Sequence, residues 1–331
     1  MPEYSQGPVL AVDLGGTKII AAVVLPDGRI ISRHHCLTLA DEGPDAVINR
    51  LLSAIGRAAA KAKLKTSELG GVVIAAAGIL SAEEGVVTTS PNLPHWCDVP
   101  LGDILTHELG TVTYLINDAS AAALGEHRFG AGKEVRNLIY LTVSTGIGGG
   151  IIIDGRLYSG TDGCAAELGH MTIDSYGPQC NCGNFGCLEV LASGTAMAKD
   201  ASGRIGRGER SSIAGLVEGR LESITAETVA LAARQGDPLA IDVVTKAANY
   251  LGIGLANLVN IFNPELILVG GGVSKMGDML LRPARKVVRE RAFQLPARTV
   301  RIVRARLGGD AGIMGAAVHT FEREPGRNLE T

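Results

Sequence analysis

The chain has 331 residues, room for two domains, and its 31 basic and 34 acidic side chains leave a net charge of −3, which gives no electrostatic footprint for nucleic acid or an anionic membrane. Hydrophobic residues make up 46% and aromatics only 4%, so the core must come from Val, Ile, Leu and Ala, a composition suited to buried parallel strands with helices packed on them. No run reaches the ~18 apolar residues of a membrane span, and Met1 to Pro8 lacks the basic-then-apolar order of a signal peptide.

In chain order, a strand is expected at Val9–Val12, then a turn, Asp13-Leu14-Gly15-Gly16-Thr17-Lys18, then a second strand over Ile19–Leu25. Asp27-Gly28 signals a hairpin into a third strand near Arg29–His34. Asp45–Lys63 carries apolar residues at helical spacing. Gly71–Ala76 reads as a strand ending at Gly78, and Tyr114–Ile116 as another, stopped by Asn117-Asp118. Ala119–His127 is an alanine-rich helix able to pack closely.

The pattern then repeats. Leu138–Val143 is a strand, Ser144–Gly150 a glycine turn, Ile151–Ile153 a strand and Asp154-Gly155 a hairpin. Two related α/β halves with a ligand cleft between them are the expectation. Helices are expected at Ile224–Gln235, Pro238–Phe262 and Ala311–Phe321, with a buried strand at Leu266–Val269 running into Gly270-Gly271-Gly272. Ser202–Arg210 is expected as an exposed loop or helix connection, and the charged tail after Glu322 as frayed. The 44 glycines, about 13% against a usual ~7%, cluster at strand ends, where tight turns and ligand loops need them.

Four groups of residues carry chemistry. The turn Asp13–Lys18 offers adjacent glycines, a hydroxyl and a cation, which suit a triphosphate, although a plain glycine hairpin has the same look. It is not a Walker A loop, since a strand follows rather than a helix. Ser144–Gly150 is a second such turn, and Gly270–Ser274 a third that either approaches an adenosine or merely joins a strand to a helix. Asn117-Asp118, at the carboxyl end of a strand, offers either a carboxylate to take a proton from an attacking hydroxyl or a helix N-cap, which both residue types favour. His170 with Cys180, Cys182 and Cys187 forms a Cys₃His set for tetrahedral zinc, and four protein ligands make the ion structural. Such a knot pins the segment carrying Glu167 and Glu189, whose carboxylates suit a polyol; Cys36, Cys97 and Cys164 read as small core residues.

From about Val9 to Phe321 these pieces resemble the ROK family of sugar kinases, within the actin-like ATPase superfamily. The matching motifs are Asp13–Lys18, Asn92-Leu93 with Trp96, Asn117-Asp118, Ser144–Gly150 and Glu167 through Glu189. The resemblance implies two actin-like, ribonuclease H-like domains: residues 8–117 with 311–325, and residues 118–310 with a zinc segment at 167–189. It implies phosphorylation of a hexose at its 6-hydroxyl by ATP, with Asp118 as general base. Gly78, Asn92, Asn117, Glu167, His170 and Glu189 would bind the sugar. Asp13, Gly15, Gly16, Thr17 and Lys18, with Ser144, Thr145, Gly146, Gly148 and Gly149, would hold the ATP phosphates with Mg²⁺ bridging them. Gly271 and Gly272 would lie near the adenosine. A cytoplasmic homodimer is the usual form.

One departure stands out. Ala77 precedes Gly78 where relatives often have proline, so the contact of Gly78 with sugar is the weaker expectation. Glucose is favoured because Asn92-Leu93-Pro94-His95-Trp96 resembles the glucokinase version, with N-acetylmannosamine, N-acetylglucosamine, fructose and allose as alternatives. Polyphosphate is an alternative donor. The family also contains sugar-responsive repressors with an N-terminal helix-turn-helix; with a first strand near Val9, that reading is not the expectation.

Overall fold

The computed structural model describes residues 7–322. The expected frayed tail after Glu322 lies outside them. Packing divides the chain into two units.

The first unit runs up to Glu134, with Gly150–Ala166 and the described residues from Leu307 onward. It opens with β1 (Val9–Leu14), β2 (Lys18–Val24) and β3 (Ile30–Leu37), joined by the two turns read from the sequence. Helix α1 (Pro44–Lys61) follows, then β4 (Val72–Ala76). Three short strands, β5 (Ile79–Ser81), β6 (Val86–Thr89) and β7 (Cys97–Val99), make a small antiparallel sheet. Helix α2 (Leu101–Leu109), β8 (Thr113–Asn117) and α3 (Asp118–Phe129) complete the run. The main sheet has the order β3-β2-β1-β4-β8, antiparallel over its first three strands and parallel over the rest. Strands β1 and β4 are buried nearly throughout, as their unbroken apolar runs require. On the alanine-rich α3 lies the chain's last described helix, Ala311–Phe321. That packing draws residues 118–134 into the first unit, whereas the expected division fell between 117 and 118.

The second unit comprises Val135–Gly149 and Glu167–Arg306. It holds β9 (Leu138–Val143), and β10 (Ile147–Ile153) carries the chain out of it towards β11 (Arg156–Leu157). Helices α4 (Leu188–Ala192), α5 (Gly194–Gly206), α6 (Ile213–Leu216), α7 (Ala226–Arg234) and α8 (Pro238–Phe262) follow, then β12 (Leu266–Gly270), α9 (Asp278–Arg291), α10 (Gln294–Thr299) and β13 (Arg301–Arg304). The sheet order is β11-β10-β9-β12-β13, the order of the first sheet repeated strand for strand. This repetition agrees with the two actin-like domains that the resemblance implies.

Helix α8 is long and apolar enough to span a membrane by length and composition, yet it packs on α7 and α9 and buries most of its apolar positions in the unit's core. Its ends follow the sequence closely: Asp237 caps it, accepting from the Ala240 amide, and Asn263 closes it in a left-handed conformation. Ser202–Arg210, expected as an exposed loop or helix connection, is helical as far as Gly206, and a connection begins only beyond it. Arg204, near the helix end, pairs with Glu209 in that connection and with Asp242.

Candidate functional site

The nine candidate residues of the first unit stand close together. Strand β1 delivers Asp13 and then the turn Gly15–Lys18, closed by a hydrogen bond from the Gly15 amide to the Lys18 carbonyl at 3.0 Å. The turn lies against the Asn92 loop so tightly that a Cβ on Gly16 would sit 2.7 Å from the Asn92 carbonyl oxygen. Strand β8 ends at Asn117, and of the pair Asn117-Asp118 it is Asn117 that caps the helix: its Oδ1 accepts from the amides of Ala119 (3.0 Å) and Ser120 (3.1 Å). Its Nδ2 reaches the Gly78 carbonyl at 3.4 Å, so only that amide group is left to meet a ligand. Gly78 has φ +117°, a conformation other residues rarely adopt.

Asp118 is thereby the first residue of α3 rather than its cap. Burial raises its carboxyl above the ordinary carboxylate range, against the lowering effect of the Ala119 amide it binds at 2.8 Å. Asp13 is pushed up to about 6, first by burial, then by the charge of Asp118, with Lys18 pulling the other way. Two half-buried carboxylates whose charges act on one another, with the charge of Lys18 also felt, suit a divalent cation and a proton acceptor.

The Asp13 shift has a testable consequence. A raised carboxyl means that the folded chain binds the proton more tightly than the unfolded one. The ligand-free fold is therefore least burdened below about pH 4 and loses that advantage as pH rises through about 6. The cost at neutral pH is on the order of 2–3 kcal/mol. Asp13→Asn is expected to raise the ligand-free melting temperature by ~4–10 °C at pH 7.5 and hardly at all at pH 4, measured by thermal unfolding. An equal gain at both values would show that charge is not the burden.

In the second unit the turn between β9 and β10 is shaped by Glu189. Its Oε2 accepts from the Ile147 amide at 2.8 Å, and a Cβ on Gly146 would collide with that carboxylate. One oxygen of Glu189, expected on the sugar, is thus committed to the glycine turn. The turn also anchors α5, since the Gly194 amide donates to the Ser144 carbonyl at 2.7 Å. A cavity of about 1020 Å³ opens beside it, lined among others by Ser144, Thr145, Thr195, Glu227, Gly272 and Lys275. It brings the Ser144 turn and the Gly270–Ser274 turn to one wall. Thr195, Lys199, Glu222, Glu227, Arg234 and Lys275 were not singled out from the sequence, where they lie scattered over helices and connections without a motif.

The four expected metal ligands converge, their donor atoms within 4.8 Å of one another. Cys180 Sγ lies 3.6 Å from His170 Nδ1, and Cys182 Sγ lies 3.8 Å from Cys187 Sγ. Around a tetrahedral ion with bonds of ~2.3 Å to sulfur and ~2.0–2.1 Å to nitrogen, these edges should be about 3.6 and 3.8 Å. The donor set therefore fits zinc in type and spacing. His170 turns Nδ1 to the cysteines and Nε2 towards Glu167, whose Oε2 is 3.9 Å away.

Comparison with known proteins completes the description. The model of the ROK family matches residues 9–322. The chain is 39% identical over 319 residues to a glucokinase of Thermotoga maritima, covering 95% of this chain and 98% of that one. It is 38% identical over 322 residues to a glucokinase of Streptomyces coelicolor, covering 96% and 99%. The crystal structure of a ROK family glucokinase from Streptomyces griseus, in complex with glucose and AMPPNP, superposes with a TM-score of 0.83 at 37% identity over 95% of this chain and 99% of that one.

Proposed function

The chain belongs to the ROK family, and on that premise we propose that it is a glucokinase, transferring the γ-phosphoryl group of ATP to the 6-hydroxyl of glucose. The observation that carries this reading is the near-full-length likeness to glucokinases, one of them seen with glucose and an ATP analogue.

Each unit supplies a share of the chemistry. In the first, Asp118 accepts the 6-hydroxyl proton as that oxygen attacks the γ-phosphorus and ADP leaves. Its raised proton affinity makes it a better base than a solvated carboxylate. Gly78, Asn92 and the Asn117 amide are the sugar-facing neighbours. Asp13 would hold Mg²⁺ with the triphosphate, and Thr17 and Lys18 would meet its oxygens. In the second unit the Ser144–Gly149 turn offers hydroxyls and amides to phosphate, and the adjoining cavity takes the nucleoside, with Gly272 on its wall and Gly271 beside it in the turn. Glu167, the His170 Nε2 and the remaining oxygen of Glu189 offer partners to sugar hydroxyls. Phosphoryl transfer needs little beyond such positioning and charge stabilisation.

Zinc at His170, Cys180, Cys182 and Cys187 is part of the proposal, as a structural cross-link of the segment that carries these groups. Three thiols drawn up at ligand spacing suit a reducing, cytoplasmic location. A homodimer is the expected assembly, for which light scattering should give about twice the 34.3 kDa of the chain.

Substrate choice is tested by ADP release with glucose, N-acetylglucosamine, N-acetylmannosamine, fructose and allose. The highest kcat/KM is expected on glucose. Preference for an N-acetyl sugar would keep the base and the metal but overturn the substrate. Polyphosphate in place of ATP tests the donor in the same assay.

A further inference from the structure

One buried residue governs how the first glycine turn presents its backbone. Thr38 follows β3 and is 0% exposed. Its hydroxyl donates to the Gly15 carbonyl at 2.6 Å, and its amide donates to the Thr17 carbonyl at 3.0 Å. A trans peptide is planar, and its N–H points opposite to its carbonyl. Holding the carbonyls of Gly15 and Thr17 towards Thr38 therefore aims the N–H groups of Gly16 and Lys18 away from it. Thr17 and Lys18, in the same turn, are exposed. Thr38 is itself fixed: its carbonyl accepts from Arg50 Nη1 at 3.1 Å, and Arg50 on α1 pairs with Glu42.

We propose that Thr38 is a positioning residue for the phosphoryl donor, a brace that holds the backbone amides of Gly16 and Lys18 in the orientation the phosphates of ATP require, without touching the nucleotide. The inference rests on the reading of Asp13–Lys18 as a phosphate-binding turn. A hydroxyl is needed because the Gly15 carbonyl takes its hydrogen bond from a side chain. Valine fills the same space and leaves that carbonyl without its donor, free to rotate its peptide. Serine keeps the donor.

Thr38→Val, Thr38→Ser and Lys18→Ala are compared with the unaltered enzyme by KM for ATP and for glucose, and by calorimetric titration with AMPPNP. Thr38→Val is expected to raise the KM for ATP and the Kd for AMPPNP ~10-fold, the scale of one hydrogen bond to a charged-ligand site, with the glucose KM within about twofold. Thr38→Ser should stay within about twofold of the unaltered enzyme throughout. Thr38→Ala removes the same donor without filling its space and should show the same split if the valine variant does not fold. Lys18→Ala reports on the turn independently and should weaken ATP more than glucose. Should Lys18→Ala weaken ATP while Thr38→Val and Thr38→Ala do not, the brace is wrong and the turn assignment stands. Should Lys18→Ala weaken glucose instead, the turn assignment fails and the brace falls with it. An equal rise in both KM values, or no rescue by serine, marks a merely structural hydroxyl and also overturns the proposal.

Discussion

Asp118→Asn is expected to lower kcat by ~10³-fold or more while leaving the Kd for glucose within about threefold, the scale set by removal of a positioned general base. Asparagine matches aspartate in size and keeps an oxygen for the Ala119 amide. The cap of α3 belongs to Asn117, so the helix start does not depend on residue 118. What is lost is the ability to take a proton. The same carboxyl sets the acid limb of the pH–rate profile. Burial raises Asp118, so the limb should lie above the ordinary carboxylate range and vanish with the residual activity of the variant. A variant with near-normal kcat would remove Asp118 from its role.

The second large effect concerns the metal knot. Cys182 is exposed while Cys180 and Cys187 are buried, so Cys182→Ser removes a ligand without emptying the interior. The unaltered protein is expected to carry one zinc ion per chain by elemental analysis, and the variant to bind far less. The segment that the proposed ion would fix carries Glu167, His170 and Glu189, and Glu189 also holds the Ile147 amide of the Ser144–Gly150 turn. The KM for glucose should therefore rise ~10–100-fold, and that for ATP should rise with it by a smaller factor. Full activity in a zinc-free variant would show that the knot does not shape the site.

Much of this arrangement was legible in the residues themselves. Strand–glycine turn–strand occurs twice because each unit opens with the same hairpin, and the two five-stranded sheets share one strand order. Helix α8 matched its expected ends because cap residues and apolar spacing agree there, and Ala311–Phe321 did so on its apolar run alone. The metal set was legible because three thiols within eight residues have little other use. Amphipathic helices with few apolar residues were harder to see: α9 hides its buried face among arginines, and α5 breaks its pattern with glycines. The sequence offered a cap at Asn117-Asp118 without saying which residue makes it, and the hold of Glu189 on the Ile147 amide was invisible in one dimension. Each side chain divides its atoms between the protein's own backbone and the face left for a ligand, and only the fold shows how. Thr38 carried no sequence signal at all, since its partner Gly15 lies 23 residues away.

The most direct test of the central claim is product identity. The zinc-replete protein would be incubated with Mg²⁺-ATP and glucose, measuring ADP and glucose 6-phosphate together, the latter with glucose-6-phosphate dehydrogenase. One glucose 6-phosphate per ADP, lost on Asp118→Asn, is the predicted result. ADP release without glucose 6-phosphate, or no turnover with any of the five sugars, would contradict it.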